Sequence, residues 1–390
     1  MTESTALTVP YAVFSRARWA TMWLFFMAGA CYATWGVHIP TIRDKFGLSA
    51  GALSMAMFAM AAGAITVMKP VGRWVARQGS ARAAWQAGLV YAAAVALIMV
   101  APSFWLLIPV LVLFAIGNTG YDVAMNAHAA TVEASAPKPV MAQFHGMFSL
   151  GGMVGASVGG VLIKLGVPPL LHCAGMAALI LLTIWWAHPR MQEDHPVAPA
   201  KAGQHHIGRV LWLLGLLAFL GLIAEGAMYD WTVIYLRDVA HSAELASMAY
   251  ATFSGGMALG RFGGDALRAR FGMEQLLKLS GWVGFAGIAL AVALPWPATS
   301  LLGFTLMGLG CANLVPLFFL AASRLPGISP AEAIADVARL AYVGLLLGPV
   351  LIGMVTQHSN LRWGMLVVAI AIGWIAVDGA RVLRKAQASG

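Results

Sequence analysis

Long apolar runs alternate with very short polar connections from one end of the chain to the other. Runs of roughly 20 apolar residues are long enough to cross a hydrocarbon core of ~30 Å as helices, and a spanning helix satisfies its own backbone polar groups. Twelve such spans are predicted, at about 19–42, 49–69, 82–101, 104–128, 139–163, 168–188, 210–235, 245–264, 276–295, 299–322, 332–356 and 362–382. Their connections carry turn formers: Pro102, Pro137 with Pro139, Pro168 with Pro169, Pro295 with Pro297, and Pro326-Gly327. One interval, Pro189 to Gly208, is longer and hydrophilic, with Gln192-Glu193-Asp194, Pro196, Pro199, Lys201 and His205-His206. It has no apolar period and reads as a linker, dividing the chain into 1–188, 189–208 and 209–390. His195, His205 and His206 are expected to be solvated loop residues rather than metal ligands.

Against this pattern, the stretch Gly117 to Glu133 stands out. It follows the apolar run Phe104 to Ile116 and places Asn118, Asp122 and Asn126 at intervals of four inside a hydrophobic span. That spacing predicts one helical face. A carboxylate in hydrocarbon normally faces a bundle interior or a watery path, and desolvation favours its protonated form. Asp122 is therefore a candidate proton-exchanging group, with Asn118 and Asn126 positioned to bond a substrate or hold the acid. The competing reading is a polar stripe that glues helices together or caps locally near the membrane surface.

Composition agrees with the spans: of 390 residues, 60% are hydrophobic and 10% charged, and 43 glycines suit close packing of membrane helices. The net charge of +9 would suit a nucleic-acid partner, but the charges are asymmetrically placed. With the N-terminus cytoplasmic, 18 of 24 Lys and Arg lie in or beside cytoplasmic segments. Arg43, Lys45, Lys164, Arg237 and Arg362 lie outside, and Arg339 lies within a span. This is the positive-inside pattern, so both termini are predicted to be cytoplasmic and no nucleic-acid partner is expected. Cys31, Cys173 and Cys311 sit in different apolar spans and offer neither a disulfide framework nor a metal cluster. Met1 to Tyr11 lacks a signal-peptide pattern, so the first span is expected to serve as the targeting signal.

An internal repeat sets the architecture. At an offset of 193, Ser49 aligns with Ser242, Ser54 with Ser247, Met55 with Met248, Gly63 with Gly256, Arg77 with Arg270 and Gly79 with Gly272. The same register aligns Gly117 with Gly310, Gly151 with Gly344, Gly155 with Gly348 and Gly160 with Gly353. Two parallel six-helix repeats about an axis along the membrane normal describe one large class of secondary transporters. Between spans 2 and 3 the chain reads Gly72-Arg73-Trp74-Val75-Ala76-Arg77-Gln78-Gly79, and the second half has Gly260-Arg261-Phe262-Gly263-Gly264-Asp265 through Arg270-Phe271-Gly272. With these signatures the chain resembles the major facilitator superfamily (MFS) over essentially its whole length, although Ala76 replaces the expected aspartate. Asp122-Val-Ala-Met-Asn126 with Glu133, and Phe144-His145-Gly146-Met147-Phe148-Ser149-Leu150-Gly151-Gly152, resemble the branch containing the MosC and YbjJ membrane proteins.

The resemblance implies an all-α membrane protein of twelve transmembrane helices in two pseudo-symmetric six-helix bundles. Helices 1, 4, 7 and 10 would line a central cavity, 2, 5, 8 and 11 join it, and 3, 6, 9 and 12 stay outside. It also implies that Gly72, Arg73, Arg77, Gly79, Arg261, Asp265 and Arg270 form gating loops, with the acid of the first loop missing. The polar residues agree with that partition, since spans 3, 6 and 9 are nearly free of them. Glu225 and Tyr229 lie four apart on span 7, with Asp230 nearer its end and expected to pair with Arg237 or meet water. On span 11, Asp336 and Arg339 can pair with each other, or Arg339 can reach the cavity; Tyr342 follows. Trp35, His38, Tyr121, Gln143, His145 and Asn313 complete the candidate substrate-binding set, although membrane histidines often serve only as packing hydrogen-bonders. The Gly151 to Gly160 run matches the family's antiporter motif with Ala156 in place of proline, but helix packing alone explains most of it, so antiport is not read from it.

Phosphate-cradling loops, nucleophile elbows and zinc spacings are absent from the sequence, so ATP-driven transport and enzymatic activity are not expected, nor any cofactor or metal. The predicted function is secondary active transport of a small organic solute across the cytoplasmic membrane by alternating access, coupled to protons through Asp122 and Glu225, with Asp336 and Arg339 as further candidates. A polyhydroxylated or amphiphilic solute suits the aromatic and amide set. The expected partners are that solute, protons and the lipid bilayer, with the chain acting as a monomer. An uncoupled facilitator, an exporter of drugs or metabolites, and a non-transporting membrane receptor are the alternatives.

Overall fold

The computed structural model describes residues 11–136, 140–192, 194, 208–326, 328 and 330–388. Its helices are α1 (Tyr11–Phe46), α2 (Ala50–Gln78), α3 (Ser80–Ile98), α4 (Phe104–Ala134), α5 (Met141–Lys164), α6 (Pro169–Ala187) and α7 (Arg209–Asp238). A continuous helical stretch Ala246–Ala293 is divided at Gly272, whose φ is 74°, into α8 (246–271) and α9 (273–293). Then come α10 (Pro297–Ala322), interrupted at Ala312-Asn313, α11 (Pro330–His358) and α12 (Leu361–Gln387), interrupted at Met365. Eleven described helices are long and apolar enough to span a membrane, and the division at Gly272 makes them twelve. His195, His205 and His206 lie outside the described residues.

The helix starts follow local chemistry. Ser49 and Ser103 accept hydrogen bonds from the amides of Ala52 and Leu106, capping α2 and α4. Proline opens α6 and α10, where a missing amide hydrogen costs nothing. Between α2 and α3 a single residue, Gly79, turns the chain at φ 81°, a conformation that disfavours a side chain. Gly272, its repeat partner, makes the same turn between α8 and α9. The end carrying these turns and the Pro189–Gly208 interval is the linker end; the opposite end is the far end.

The sequence repeat reappears as paired contacts. Gly151 of α5 lies against the carbonyl of Phe26 on α1, and Gly344 of α11 against the carbonyl of Phe219 on α7. Gly117 meets the backbone of Tyr91, and Gly310 the backbone of Gly284. In each case a methyl group would collide with backbone, so glycine permits the approach. The two bundles meet reciprocally as well: Gly160 of α5 faces Ser247 of α8, while Gly353 of α11 faces Ser54 of α2.

At the far end, α1 and α7 close the molecule between the bundles. α1 carries Arg43-Asp44 in its last turn and α7 ends in Arg237-Asp238, the same dipeptide in both halves. Arg43 pairs with Asp238, while Arg237 bonds Asp44 at 2.8 Å and its own neighbour Asp238 at 2.7 Å. Asp230 therefore does not pair with Arg237, whose guanidinium is already committed at the far end. At the linker end, the side chain of Asp194 accepts from the amide of Ser80 at 2.8 and 2.9 Å, and Nε2 of His128 accepts from the amide of Gln192 at 2.9 Å. The start of the interval after α6 is thus tied to the first bundle.

Candidate functional site

Two joined cavities lie between the bundles. The central chamber has a volume of about 250 Å³ and its walls come from α1, α2, α4, α5, α7 and α11. A vestibule of about 500 Å³ shares Leu222, Glu225 and Tyr342 with it and runs toward the linker end, where Glu133, Asp265 and Arg268 form its rim. α3, α6, α9 and α12 contribute nothing to the central chamber, as the apolar character of spans 3, 6 and 9 predicts. α10 borders only the vestibule, and α9 reaches the vestibule through Leu276.

Helical spacing explains which residues enter. α4 presents Ala115, Asn118, Thr119 and Asp122, and α7 presents Leu222, Glu225, Gly226, Tyr229 and Asp230. Both are stripes at intervals of three and four. The stripe on α4 ends before Asn126, because eight residues at ~100° each leave it about 80° away from Asn118. Asn126 instead donates back to the carbonyl and carboxylate of Asp122, at 2.9 and 3.1 Å. It positions the acid rather than lining the chamber. Glu133 accepts from the amides of Val140 and Met141 at 2.7 and 2.6 Å, fixing the start of α5.

Glu225 is not alone. Arg261 of α8 reaches it at 3.1 Å, with both side chains mostly shielded from solvent. The same guanidinium donates to Oγ of Ser149 at 2.8 Å and to the carbonyl of His145 at 3.4 Å, both on α5 of the other bundle. Arg261 thus ties the two halves together at the junction of chamber and vestibule. The rest of its signature stays near the linker end: Asp265 pairs with Arg268, and Arg270 lies over the Phe271 ring. In the first half, Gly72, Arg73 and Arg77 fall on the last turns of α2, with both arginines exposed, and only Gly79 lies between helices.

The other candidates divide clearly. Tyr229 and Tyr342 line the chamber, while His145 and Asn313 line the vestibule, Asn313 also donating to the carbonyl of Gly260 at 3.3 Å. Tyr121 is buried against Tyr91 of α3, with ring centroids 5.9 Å apart, and lines neither cavity. His38 pairs with His172 of α6 at 2.9 Å, and Trp35 is buried beside neither cavity. Gln143 accepts from Arg18 at 2.6 Å. Arg339 is exposed and pairs with buried Asp336; neither lines the chamber or the vestibule, so Arg339 does not reach the chamber. Sequence reasoning missed Tyr32 and the methionine face of α2, Met57, Met60 and Met68. It also placed Asp230 too far toward water. The three-and-four periodicity through Glu225 and Gly226 is the signal that reveals Asp230.

The model of the Major Facilitator Superfamily matches residues 21–338. Membrane protein MosC of Rhizobium meliloti is 31% identical over 363 residues, covering 91% of this chain and 87% of that protein. An uncharacterized MFS-type transporter of Yersinia pestis is 29% identical, covering 94% and 95%. Among solved structures, a bacterial homolog of the human lysosomal transporter Spinster, inward-facing and unoccupied, superposes with a TM-score of 0.73 at 14% identity over 98% of this chain and 99% of that one. A mutant of the nucleoside transporter NupG gives 0.71 at 13% identity, covering 97% and 99%. At these identities the structures share the fold alone.

Proposed function

The chain belongs to the Major Facilitator Superfamily, and from that premise we propose that it is a secondary active transporter, moving a small organic solute across the cytoplasmic membrane by alternating access coupled to protons. The observation that carries this reading is a chamber between two bundles that holds Asp122, Glu225 and Asp230 in an otherwise largely apolar wall, open through a vestibule at one end and shut by paired charges at the other. In this reading the linker end is cytoplasmic, as are both termini, residues 189–208 connect the two bundles, and the solute enters or leaves through the vestibule. The description of the Yersinia relative as an MFS-type transporter supports membrane transport without specifying this chain's cargo.

Asp122 is the proposed proton carrier of the first half. It borders the chamber and has a neutral amide, Asn126, as its hydrogen-bond partner, so binding a proton breaks no ion pair. Glu225 has a different role, because its proton would compete with Arg261. Neutralising Glu225 weakens the hold on a guanidinium that also bonds Ser149, which links protonation to the contact between bundles. The test is uptake in proteoliposomes. Asp122→Asn is expected to lose uptake driven by a pH gradient while keeping exchange of solute. Undiminished pH-driven uptake by this variant would remove Asp122 from the coupling role.

A further inference from the structure

We infer that the solute carried is an organic cation: an ammonium-type group on a compact apolar or aromatic body. This rests on the transporter reading above and names the substrate class of the same chamber.

Three carboxylates border the chamber, Asp122, Glu225 and Asp230, and no Lys, Arg or His is among its described lining residues. Arg261 reaches in from the vestibule, but its guanidinium is held by Glu225 and Ser149. Asp122 and Asp230 form no ion pair with a described residue, and Asp230 is 7% exposed. Carboxylates removed from water are held either by a proton or by a cation. The chamber has places for both.

The surroundings of Asp230 point to a ligand independently of its charge. Adjacent Tyr229 is buried and borders the chamber. Its ring meets that of Tyr32, across from the other bundle, edge to face at 6.2 Å, and packs on Tyr250 and Phe253 at 5.1 and 5.0 Å. An aromatic corner beside a carboxylate attracts a cation through both charge and ring quadrupole. An anion would meet repulsion from the two unpaired acids, Asp122 and Asp230. The remaining wall is apolar and adaptable, with Met57, Met60 and Met68 from α2 opposite Leu222 and Leu345. That suits an apolar body rather than a hydrated inorganic ion.

Proton and cation would use the same carboxylates, so binding must weaken as pH falls and they become neutral. The other titratable or charged groups facing the site are Tyr32 of α1, Tyr229 of α7, Tyr342 of α11 and the Glu225–Arg261 pair; Tyr250 of α8 stands behind Tyr229. Lowering the pH turns none of these tyrosines into a cation-binding group, so the carboxylates set the sign.

Three probes of matched shape test this on the purified full chain: benzyltrimethylammonium, neutral 2,2-dimethyl-3-phenylpropan-1-ol and anionic 2,2-dimethyl-3-phenylpropanoate. Calorimetric titration at pH 8 is expected to find the cation binding at least tenfold tighter than either other probe, and weaker at pH 5.5. Asp230→Asn is expected to weaken the cation at least tenfold and leave the alcohol unchanged. Equal binding of all three probes by the wild-type chain would overturn the inference without recourse to any variant, and so would tighter binding of the anion. Counterflow of the same probes in proteoliposomes separates the two readings. Charge-selective binding without flux keeps the cation site and refutes transport; flux of the neutral or anionic probe alone keeps transport and refutes the cation.

Discussion

The far-end closure rests on four charges, and removing one of them gives the sharpest test of how the molecule opens. Arg237→Gln deletes the contacts to both Asp44 and Asp238, leaving only Arg43 with Asp238. Asp44 is 67% exposed and the other three side chains are 20–34% exposed, so these are screened interactions. Of the two deleted contacts, only that to Asp44 crosses between the bundles, and an exposed pair contributes about 0.2–1 kcal/mol. At ~1.4 kcal/mol per factor of ten, the upper end of that range shifts a two-state ratio about fivefold. Spin labels at Lys164→Cys on the first bundle and Glu244→Cys on the second would report the separation across this end, since both positions are exposed. The native cysteines are buried and free, hence poor targets for a polar label. Arg237→Gln is expected to enrich the longer distance by up to about fivefold, and 1 M salt, with a Debye length of ~3 Å, to move the wild type the same way. A fourfold variant carrying Arg43→Asp, Asp44→Arg, Arg237→Asp and Asp238→Arg inverts every charge while keeping every pairing, and is expected to restore the wild-type distribution. Unchanged distances in Arg237→Gln, or no recovery on inversion, would refute the latch.

Arg261→Gln and Glu225→Gln are each expected to lower thermal stability. Their double variant should recover part of the loss, with a coupling of about 0.5–3 kcal/mol in a double-mutant cycle. Gly151→Ala and Gly344→Ala, which collide with equivalent carbonyls, are expected to lower the melting temperature similarly, whereas Gly175→Ala, with open space around it, should leave it unchanged. Asp194→Ala removes the acceptor at the start of α3 and is expected to cost about 1 kcal/mol, read as faster amide exchange at Ser80.

The helices were legible because a membrane forces each crossing to be long and apolar, and the repeat was legible because glycine contacts against backbone tolerate nothing larger. Asp122, Glu225, Tyr229 and Tyr342 were found because polar groups in apolar runs are conspicuous. Arg261 was placed in a gating loop by the resemblance of its motif to the family signature, yet α8 continues through that motif and turns only at Gly272. Trp35, Tyr121 and Gln143 show the limit of a single-helix view: each is polar enough to suggest a cavity, but its facing helix decides, and that partner lies far away in sequence. The far-end latch was hidden for the same reason. Its charges lie near span ends, where Lys, Arg and Asp are ordinary, and only the fold brings the two dipeptides together.

The reciprocal Gly160–Ser247 and Gly353–Ser54 contacts give the closed end a mechanical character. Both flanks of the seam are shut by the smallest side chains, so the barrier there is thin in material although tight in fit. A door made this way needs little travel: separating backbones by the width of a methyl group is enough to break the fit on either side. Because the two contacts are copies, neither flank is inherently the hinge. The molecule can part evenly about its pseudo-twofold axis, and the unequal placement of the acids gives the frame a direction.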